Sequence, residues 1–352
     1  TKRGVICDDG EATTGKIALR ADIDALQIQD TKQVAYRSQH EGVMHACGHD
    51  AHSAILYGAL CGLRQLRLTD GLPWPVTVRG IFQPAEETAK GAREMVAAGA
   101  LSGVSAILAT HVDPHREAGS IGLRDGVSTA NCDEIRVRLQ GVGGHAARPH
   151  DTRDPIHAAA QLIQNTYSLV SRKIDSQDAV IVTFGHIAGG SNSNVIPDSV
   201  EMRGTMRTLC DQVRIQAKEQ LQQVCRGVSE ATGVEIELEI VNELASVFND
   251  AGLNEILMRS GSEVLGAGRV ERIPRASMGS EDFAVYLEQV PGAMFRLGIA
   301  TEELRAPLHS TNFDISEETI MMGAKILARS AILWCDPHRS LDKSATAAEI
   351  RS

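Results

Sequence analysis

The sequence predicts an α/β protein: a large, discontinuous domain with a mixed, mostly parallel sheet flanked by helices, and an inserted βαββαβ two-layer sandwich. Three observations predict it. The 352 residues exceed what one compact core usually holds. The first third alternates strand-like and helix-like segments, the order that builds a largely parallel sheet. From about residue 130 the pattern changes to strands of alternating polar and apolar residues, and from about residue 243 it changes back. The expected boundaries are 1–127 and 243–352 for the large domain and 128–242 for the insertion.

In order along the large domain, "KIALRADIDAL" reads as a buried strand ending in a turn. "SAILYGALCGLRQL" sets Ile55, Leu56, Leu60, Leu63 and Leu66 at helical spacing. "PVTVRGIFQPAEE" is a strand entering a loop marked by proline, "AKGAREMVAAGAL" a helix, and "VSAILATHV" another buried strand.

The insertion opens with "DEIRVRLQG", where Ile135, Val137 and Leu139 share one face. Asp154 is placed to cap a helix that starts at Pro155, because its carboxylate can accept from free N–H groups of the first turn. "DAVIVTFGHI" and "SVEMRGTMRTL" are the next strands. A helix then carries Val213, Ala217, Leu221, Val224 and Val228 on one stripe, with Gly233 to end it, before the strand "VEIELEIV".

Composition narrows the partners. With 35 basic against 45 acidic residues, the net charge of −10 argues against nucleic acid or an anionic membrane, both of which need a dense basic surface. No apolar run is long enough to span a bilayer. Seven scattered cysteines without a CxxC pair fit a reducing, cytoplasmic setting better than a disulfide framework. The start, "TKRGVICDDG", lacks Met, so the native N-terminus and any targeting sequence are expected to lie upstream. The polar tail after Trp334 is expected to be loosely held.

Several residues invite chemistry. In "MHACGHDAH", Cys47 and His49 stand two apart ahead of an apolar helix, a thiolate and an imidazole suited to a borderline metal such as zinc. Two other readings stay open there: Cys47 as a small buried hydrophobe with histidines capping the helix, or Cys47 as a nucleophile with a lowered pKa. Glu86 and Glu87 follow a strand, where one could ligate a metal and the other act as general base; the plain alternative is an acidic first helical turn. His111 ends a buried strand and His309 lies in a polar loop; each alone reads as structural. Cys47, Glu86, Glu87 and His111 nevertheless all follow strands of one inferred sheet, whose ends should converge. In the insertion, His145 follows a glycine-rich turn and Asn194 precedes a strand. Arg207 shares a polar strand face with Glu201, Arg203 and Thr205, which is also how an ordinary solvated face reads.

These segments together resemble peptidase family M20, and within it subfamily D, the aminoacylases, hippurate hydrolases and indoleacetyl-amino-acid hydrolases. The shared stretches are "LRADIDAL", "MHACGHDAH", "FQPAEE", "THV", "GVGGHAARPH", "NVIPDSVEMRGTMRT", "SMGSEDFA" and "LHSTNFD", in family order from about residue 17 to 325. The resemblance implies two divalent metal ions per subunit, Zn2+ or Mn2+ before Co2+ or Ni2+. Their ligands would be Cys47, His49, Glu87, His111 and His309, with Cys47 bridging. Asp22 stands where many relatives outside this branch carry a ligand histidine. Glu86 would be the general base, and Asp24 would orient a ligand. The insertion would be a lid that also mediates a homodimer. From it His145 would reach the developing oxyanion of the partner's substrate, while Asn194 and Arg207 hold the substrate carboxylate.

The implied reaction is hydrolysis of an N-acyl amino acid, by metal-activated water, to a carboxylic acid and a free amino acid. A dipeptidase or carboxypeptidase of the same family is the alternative. A metal-binding relative without turnover is a further one, set against the presence of both Glu86 and His145. A cysteine hydrolase leaves Glu87, His111 and His309 without roles. The acyl pocket cannot be read from the residues, and "MGSEDF" is expected near its rim.

Overall fold

The computed structural model describes residues 3–10 and 15–339. Residues 340–352, most of the tail expected to be loosely held, lie outside the described residues, as do the first two residues of the start. The chain divides into two compact units. One takes in the described residues through Ser128, then Val247–Ala276, and the chain from Glu281 onward. The other comprises Thr129–Ser246 together with Ser277–Ser280.

The first unit is built on β1 (Val5–Asp9), β2 (Lys16–Asp22), α1 (His49–Leu68), β3 (Val78–Gln83), α2 (Gly91–Ala97), β4 (Val104–Glu117), β5 (Ile121–Leu123) and β6 (Gly126–Val127). Its later part supplies β13 (Phe248–Asn249), α5 (Ala251–Leu265), β14 (Val270–Arg272), α6 (Ala284–Leu287), β15 (Gly292–Ala300) and α7 (Glu318–Trp334). Seven strands form one sheet in the order β1-β3-β2-β4-β15-β5-β14. The pairings β3–β2, β2–β4, β4–β15 and β5–β14 are parallel; β1–β3 and β15–β5 are antiparallel. The sheet is therefore mixed and mostly parallel, as the sequence predicts. β1 was not expected from its polar sequence; it is an edge strand, held by five register pairs to β3.

Alternation along the strands sorts the two faces. Ile17, Leu19, Ala21, Ala106, Leu108, Ala293, Phe295 and Leu297 enter one apolar core with Ile55, Leu56, Ala59 and Leu63 of α1 and Ile326, Leu327 and Ala331 of α7. Each Ile, Leu or Phe side chain so removed from water contributes about 1.5–3 kcal/mol. One of the apolar positions at helical spacing departs from this: Leu66 is 37% exposed. The opposite face carries Arg20, Asp22, Gln83 and His111, all buried, and there the site forms.

The second unit contains β7 (Asn131–Gln140), β8 (Gly144–His145), α3 (Pro155–Lys173), β9 (Val180–Ala188), β10 (Val195–Ile196), β11 (Ser199–Thr208), α4 (Asp211–Thr232) and β12 (Glu235–Leu244). Setting aside the two-residue ribbon β8–β10, the order is βαββαβ with an antiparallel sheet β12-β7-β11-β9. Asp154 caps α3 by accepting from the Ile156 and His157 N–H groups, and Gly233 ends α4 in the left-handed region at φ 71°. The helices cover one face, where Val137, Leu139, Leu162, Met202 and Val228 pack together. No helix among the described residues is long and apolar enough to cross a membrane. All seven cysteines are free.

Candidate metal centre

Three loops of the first unit leave the same end of the parallel strands and carry Cys47, His49, Glu87 and His309, a consequence of the strands' common direction; His111 does not end its strand, since β4 runs on to Glu117. Cys47 and His49 flank Gly48, which turns the chain into α1 with φ 80° and no side-chain cap. A Cβ at Gly48 would lie 2.6 Å from a Val112 methyl, so only glycine lets this turn seat against β4. His49 is the first residue of the helix, so the histidines do not cap it. After β3, Glu86 and Glu87 lie in a loop and not in the first turn of α2, which starts only at Gly91. That loop holds Ala85 at φ 58° and Ala89 at φ 53°, a strained backbone on either side of the carboxylate pair.

The side chains converge. Cys47 Sγ lies 3.6 Å from His111 Nε2. His309 Nε2 lies 3.4 Å from Glu87 Oε1, and His49 Nε2 lies 4.0 Å from the same oxygen. Donor atoms of Cys47, His49 and His111 form one group within 4.8 Å of one another, and those of Cys47, Glu87 and His309 form a second. Cys47 is common to both. His309 reaches its place through a left-handed residue (φ 62°) whose N–H donates to the Ala46 carbonyl at 2.8 Å.

Hydrogen bonds fix the tautomers. His49 Nδ1 donates to the Asp24 carbonyl (3.1 Å) and carboxylate (3.2 Å), which turns Nε2 toward Glu87. His111 Nδ1 donates to the Val112 carbonyl at 2.8 Å, which turns its Nε2 toward Cys47. The other oxygen of Asp24 accepts the Glu87 N–H at 3.1 Å, so one carboxylate holds two of the three loops. His45 Nδ1 also donates to the Asp24 carbonyl, at 2.9 Å.

The donor set fits a cation. Asp22, Asp24, Glu86, Glu87, Glu281 and Asp282 crowd the site, while Arg20 is the cation buried among them. His49 Nε2 and Glu87 Oε1 are buried without a hydrogen-bond partner, which is costly unless something else meets them. Burial and then Glu87, Asp22 and Glu86 push the Cys47 thiol up, the opposite of an activated nucleophile; a bound cation is what would make it a thiolate. Burial lowers the His49 pKa, but Asp22 and Asp24 outweigh it and raise it to about 9. Burial, then Arg296 and His52, hold His111 well below the usual imidazole value, so it is neutral and offers a lone pair. Burial and the neighbouring Glu281 and Asp282 raise Glu86 well above the usual carboxyl range.

Beneath these residues runs a polar network that the motif reading left without a role. Arg20, 1% exposed, donates to Asp22 (2.8 Å), Asp282 (2.9 Å) and Gln83 (2.9 Å), and pairs with Glu281 at 3.0 Å. Asp22 accepts from His52 Nδ1 at 2.6 Å, and His52 Nε2 accepts the Val112 N–H at 2.9 Å. The Asp282 N–H donates to Glu86 Oε1 at 3.3 Å. Glu281 and Asp282 are thus buried under the site and do not lie at a pocket rim; in "SMGSEDFA" only the stretch before them belongs to the second unit. The available signal was Arg20 and Asp22 two apart inside an apolar strand, which puts two charges on one buried face.

In the second unit the ribbon β8–β10 brings His145 and Asn194 together, with the Ala146 N–H donating to the Asn194 carbonyl at 3.1 Å. His145 Nδ1 accepts the Ala147 N–H at 3.1 Å, so the ring proton sits on the exposed Nε2. Arg207 is half-buried and has no hydrogen bond to either among the described residues; its Nη1 donates to the Met278 carbonyl at 2.9 Å.

Histidine, thiol and carboxylate donors at one end of an α/β sheet, with a further carboxylate beside them, make a candidate metal centre of the kind that hydrolases use. Residues 18–332 match the family described as Peptidase family M20/M25/M40. The chain belongs to peptidase family M20. It is 38% identical over 338 residues to N-acetylcysteine deacetylase of Bacillus subtilis, covering 94% of this chain and 85% of that protein. It is 36% identical over 336 residues to IAA-amino acid hydrolase ILR1-like 4 of Arabidopsis thaliana, covering 93% and 75%. Among solved structures, the Bacillus subtilis YXEP protein, a dinuclear metal-binding peptidase of the M20 family, superposes with a TM-score of 0.79 at 34% identity, over 95% of this chain and 85% of that one.

Proposed function

We propose that the protein is a metal-dependent amidohydrolase that cleaves N-acyl amino acids to a carboxylic acid and a free amino acid. The observation that carries this reading is the pair of three-donor groups sharing Cys47, with His49 Nε2 and Glu87 Oε1 buried and unmatched beside Glu86. Cys47, His49, Glu87, His111 and His309 would hold two divalent ions, Zn2+ or Mn2+ by the mixture of soft and hard donors. When bound, such ions supply Lewis acidity toward a water and the amide carbonyl.

Glu86 takes the proton from the attacking water on a carboxylate oxygen and delivers it to the leaving nitrogen. Burial and the neighbouring carboxylates raise its pKa, which favours its taking up the water's proton. Asp24 keeps His49 and the Glu87 loop in register. His145 Nε2–H donates to the developing oxyanion, and Asn194 and Arg207 hold the substrate carboxylate. The second unit serves as lid and as the dimerisation surface, and a cytoplasmic setting accords with the free thiols.

The test is a panel of hippurate, acetyl, long-chain acyl and indoleacetyl conjugates against dipeptides, each with zinc or manganese. Turnover of N-acyl amino acids that disappears on chelation and returns with either metal is expected. Activity that survives complete metal removal overturns the reading.

A further inference from the structure

Five arginines lie on strands of the seven-stranded sheet: Arg20, Arg79, Arg116, Arg272 and Arg296. Four have carboxylate partners. Arg20 pairs with Asp282 at 2.9 Å, Arg79 with Asp8 at 2.7 Å, Arg116 with Glu271 at 2.8 Å, and Arg272 with Glu255 at 2.5 Å. Arg296 has neither a carboxylate partner nor a side-chain hydrogen bond among the described residues, although it is half-buried in a strand whose other residues are all buried. Its guanidinium nitrogens are not sealed from solvent, so the charge is open to an anion that comes to this face.

Its position says where that ligand lies. Arg296 is the register partner of His111 on the adjacent parallel strand, so both side chains leave the same face of the sheet about 4.8 Å apart along the ladder. Ala293, Phe295 and Leu297 point into the apolar core, which puts Arg296 on the face of the metal centre. On its other flank Arg296 pairs with Gly122, over which the Arg116 guanidinium lies, already matched by Asp113 and Glu271. The next position on its own face is Gly298, which adds no side chain.

We propose that Arg296 is a specificity-determining residue that takes a second carboxylate of the substrate, beyond the one common to all N-acyl amino acids. The preferred substrates are then dianionic: an N-acyl derivative of an acidic amino acid, or an amino acid carrying a dicarboxylic acyl group. This rests on the amidohydrolase reading, in which Asn194 and Arg207 take the common carboxylate. A planar guanidinium matches a carboxylate through two parallel hydrogen bonds, and a charge-assisted contact of that kind corresponds to roughly 10- to 100-fold in binding.

The experiment compares wild type, Arg296→Gln and Arg296→Lys on N-acetyl-L-alanine, N-acetyl-L-glutamate and N-succinyl-L-alanine, in metal-loaded full-length protein. Wild type is expected to favour one of the two dianions over N-acetyl-L-alanine by roughly 10- to 100-fold in kcat/KM. Which dianion wins tells whether the second carboxylate belongs to the amino acid or to the acyl group. Arg296→Gln is expected to remove that ratio, and Arg296→Lys to keep part of it. Equal loss on all three substrates, or a wild type with no preference for either dianion, overturns the proposal. Calorimetric binding of N-acetyl-L-glutamate and N-succinyl-L-alanine to the metal-free proteins separates the two readings. If wild type hydrolyses nothing on the panel, the amidohydrolase reading fails, while binding lost in Arg296→Gln still supports the carboxylate site, and binding unaltered in it refutes that site.

Discussion

Replacing Arg20 by methionine removes the arginine at the centre of a buried acidic cluster. Its guanidinium is 1% exposed and meets Asp22 at 2.8 Å, Asp282 at 2.9 Å and Glu281 at 3.0 Å. Methionine fills part of the vacated volume, so the loss is mainly electrostatic. Breaking a buried pair by removing one partner costs about 3–5 kcal/mol. Three stranded carboxylates would multiply that cost, but Asp282 limits it. Burial, opposed by Arg20, already pushes Asp282 up to about 7, so it takes a proton once the arginine is gone. The expected destabilisation is therefore about 3–5 kcal/mol, carried by Asp22 and Glu281. Both tryptophans of the chain, Trp74 and Trp334, belong to the first unit, so their fluorescence in urea follows this unit's unfolding. With a slope of about 1–3 kcal/mol per molar, the midpoint should fall by at least about 1 M. A loss below about 1 kcal/mol would show that the cluster is not held by Arg20. Asp282→Asn in the Arg20→Met background should recover little, since the proton has already neutralised that carboxyl.

Three further outcomes are expected. Glu86→Gln should lower kcat by roughly 10²- to 10⁴-fold with metal content unchanged, because the residue moves protons and is not among the ligands; full turnover in that variant would remove Glu86 as the base. Cys47→Ala should leave at most one ion per chain by elemental analysis, since Sγ is common to both donor groups, and retention of two ions would show that the thiol does not bridge. Asp8 is held down to about 2, first by its hydrogen bond with Arg79 and then, against burial, by Lys16. A depressed folded-state pKa gives stability that is present above the ordinary carboxylate value near 4 and is lost as pH falls toward 2. Asp8→Asn should therefore lower thermal stability at neutral pH and flatten its decline between about pH 4 and 2; an unaltered acid limb would show that the pair with Arg79 contributes nothing.

Much of the fold was legible because its signals are local. Pro155 and Asp154 specify a helix start by sterics and one carboxylate, Gly233 a helix end by its missing Cβ, and alternation in "SVEMRGTMRTL" a strand with Val200, Met202 and Met206 buried. The candidate ligands were legible for a different reason: histidine, cysteine and paired glutamates at strand ends are unusual enough to draw attention singly. What stayed hidden depends on residues distant in sequence. Nothing near Arg20 announces that its partners stand 262 positions away at Asp282, or that His52 is spoken for by Asp22 and Val112. The left-handed backbone at Ala85, Ala89 and His309 was equally invisible, since none of them is the glycine that marks such a position. Arg296 carried no motif and became conspicuous only once every other strand arginine of the sheet had a partner.

The division of "SMGSEDFA" between the two units bears on how the smaller one can be handled and how it arose. Ser277–Ser280 belongs with 129–246, although some thirty residues of the other unit intervene. Met278 supplies the carbonyl for Arg207, and Gly279 the carbonyl for the Ala130 N–H at 2.9 Å. A gene fragment encoding only 129–246 therefore yields a sandwich with one backbone donor at the head of its central strand unmatched and one arginine released. The smaller unit is stitched to the rest at four chain crossings, where a cassette dropped into a single loop would need only two.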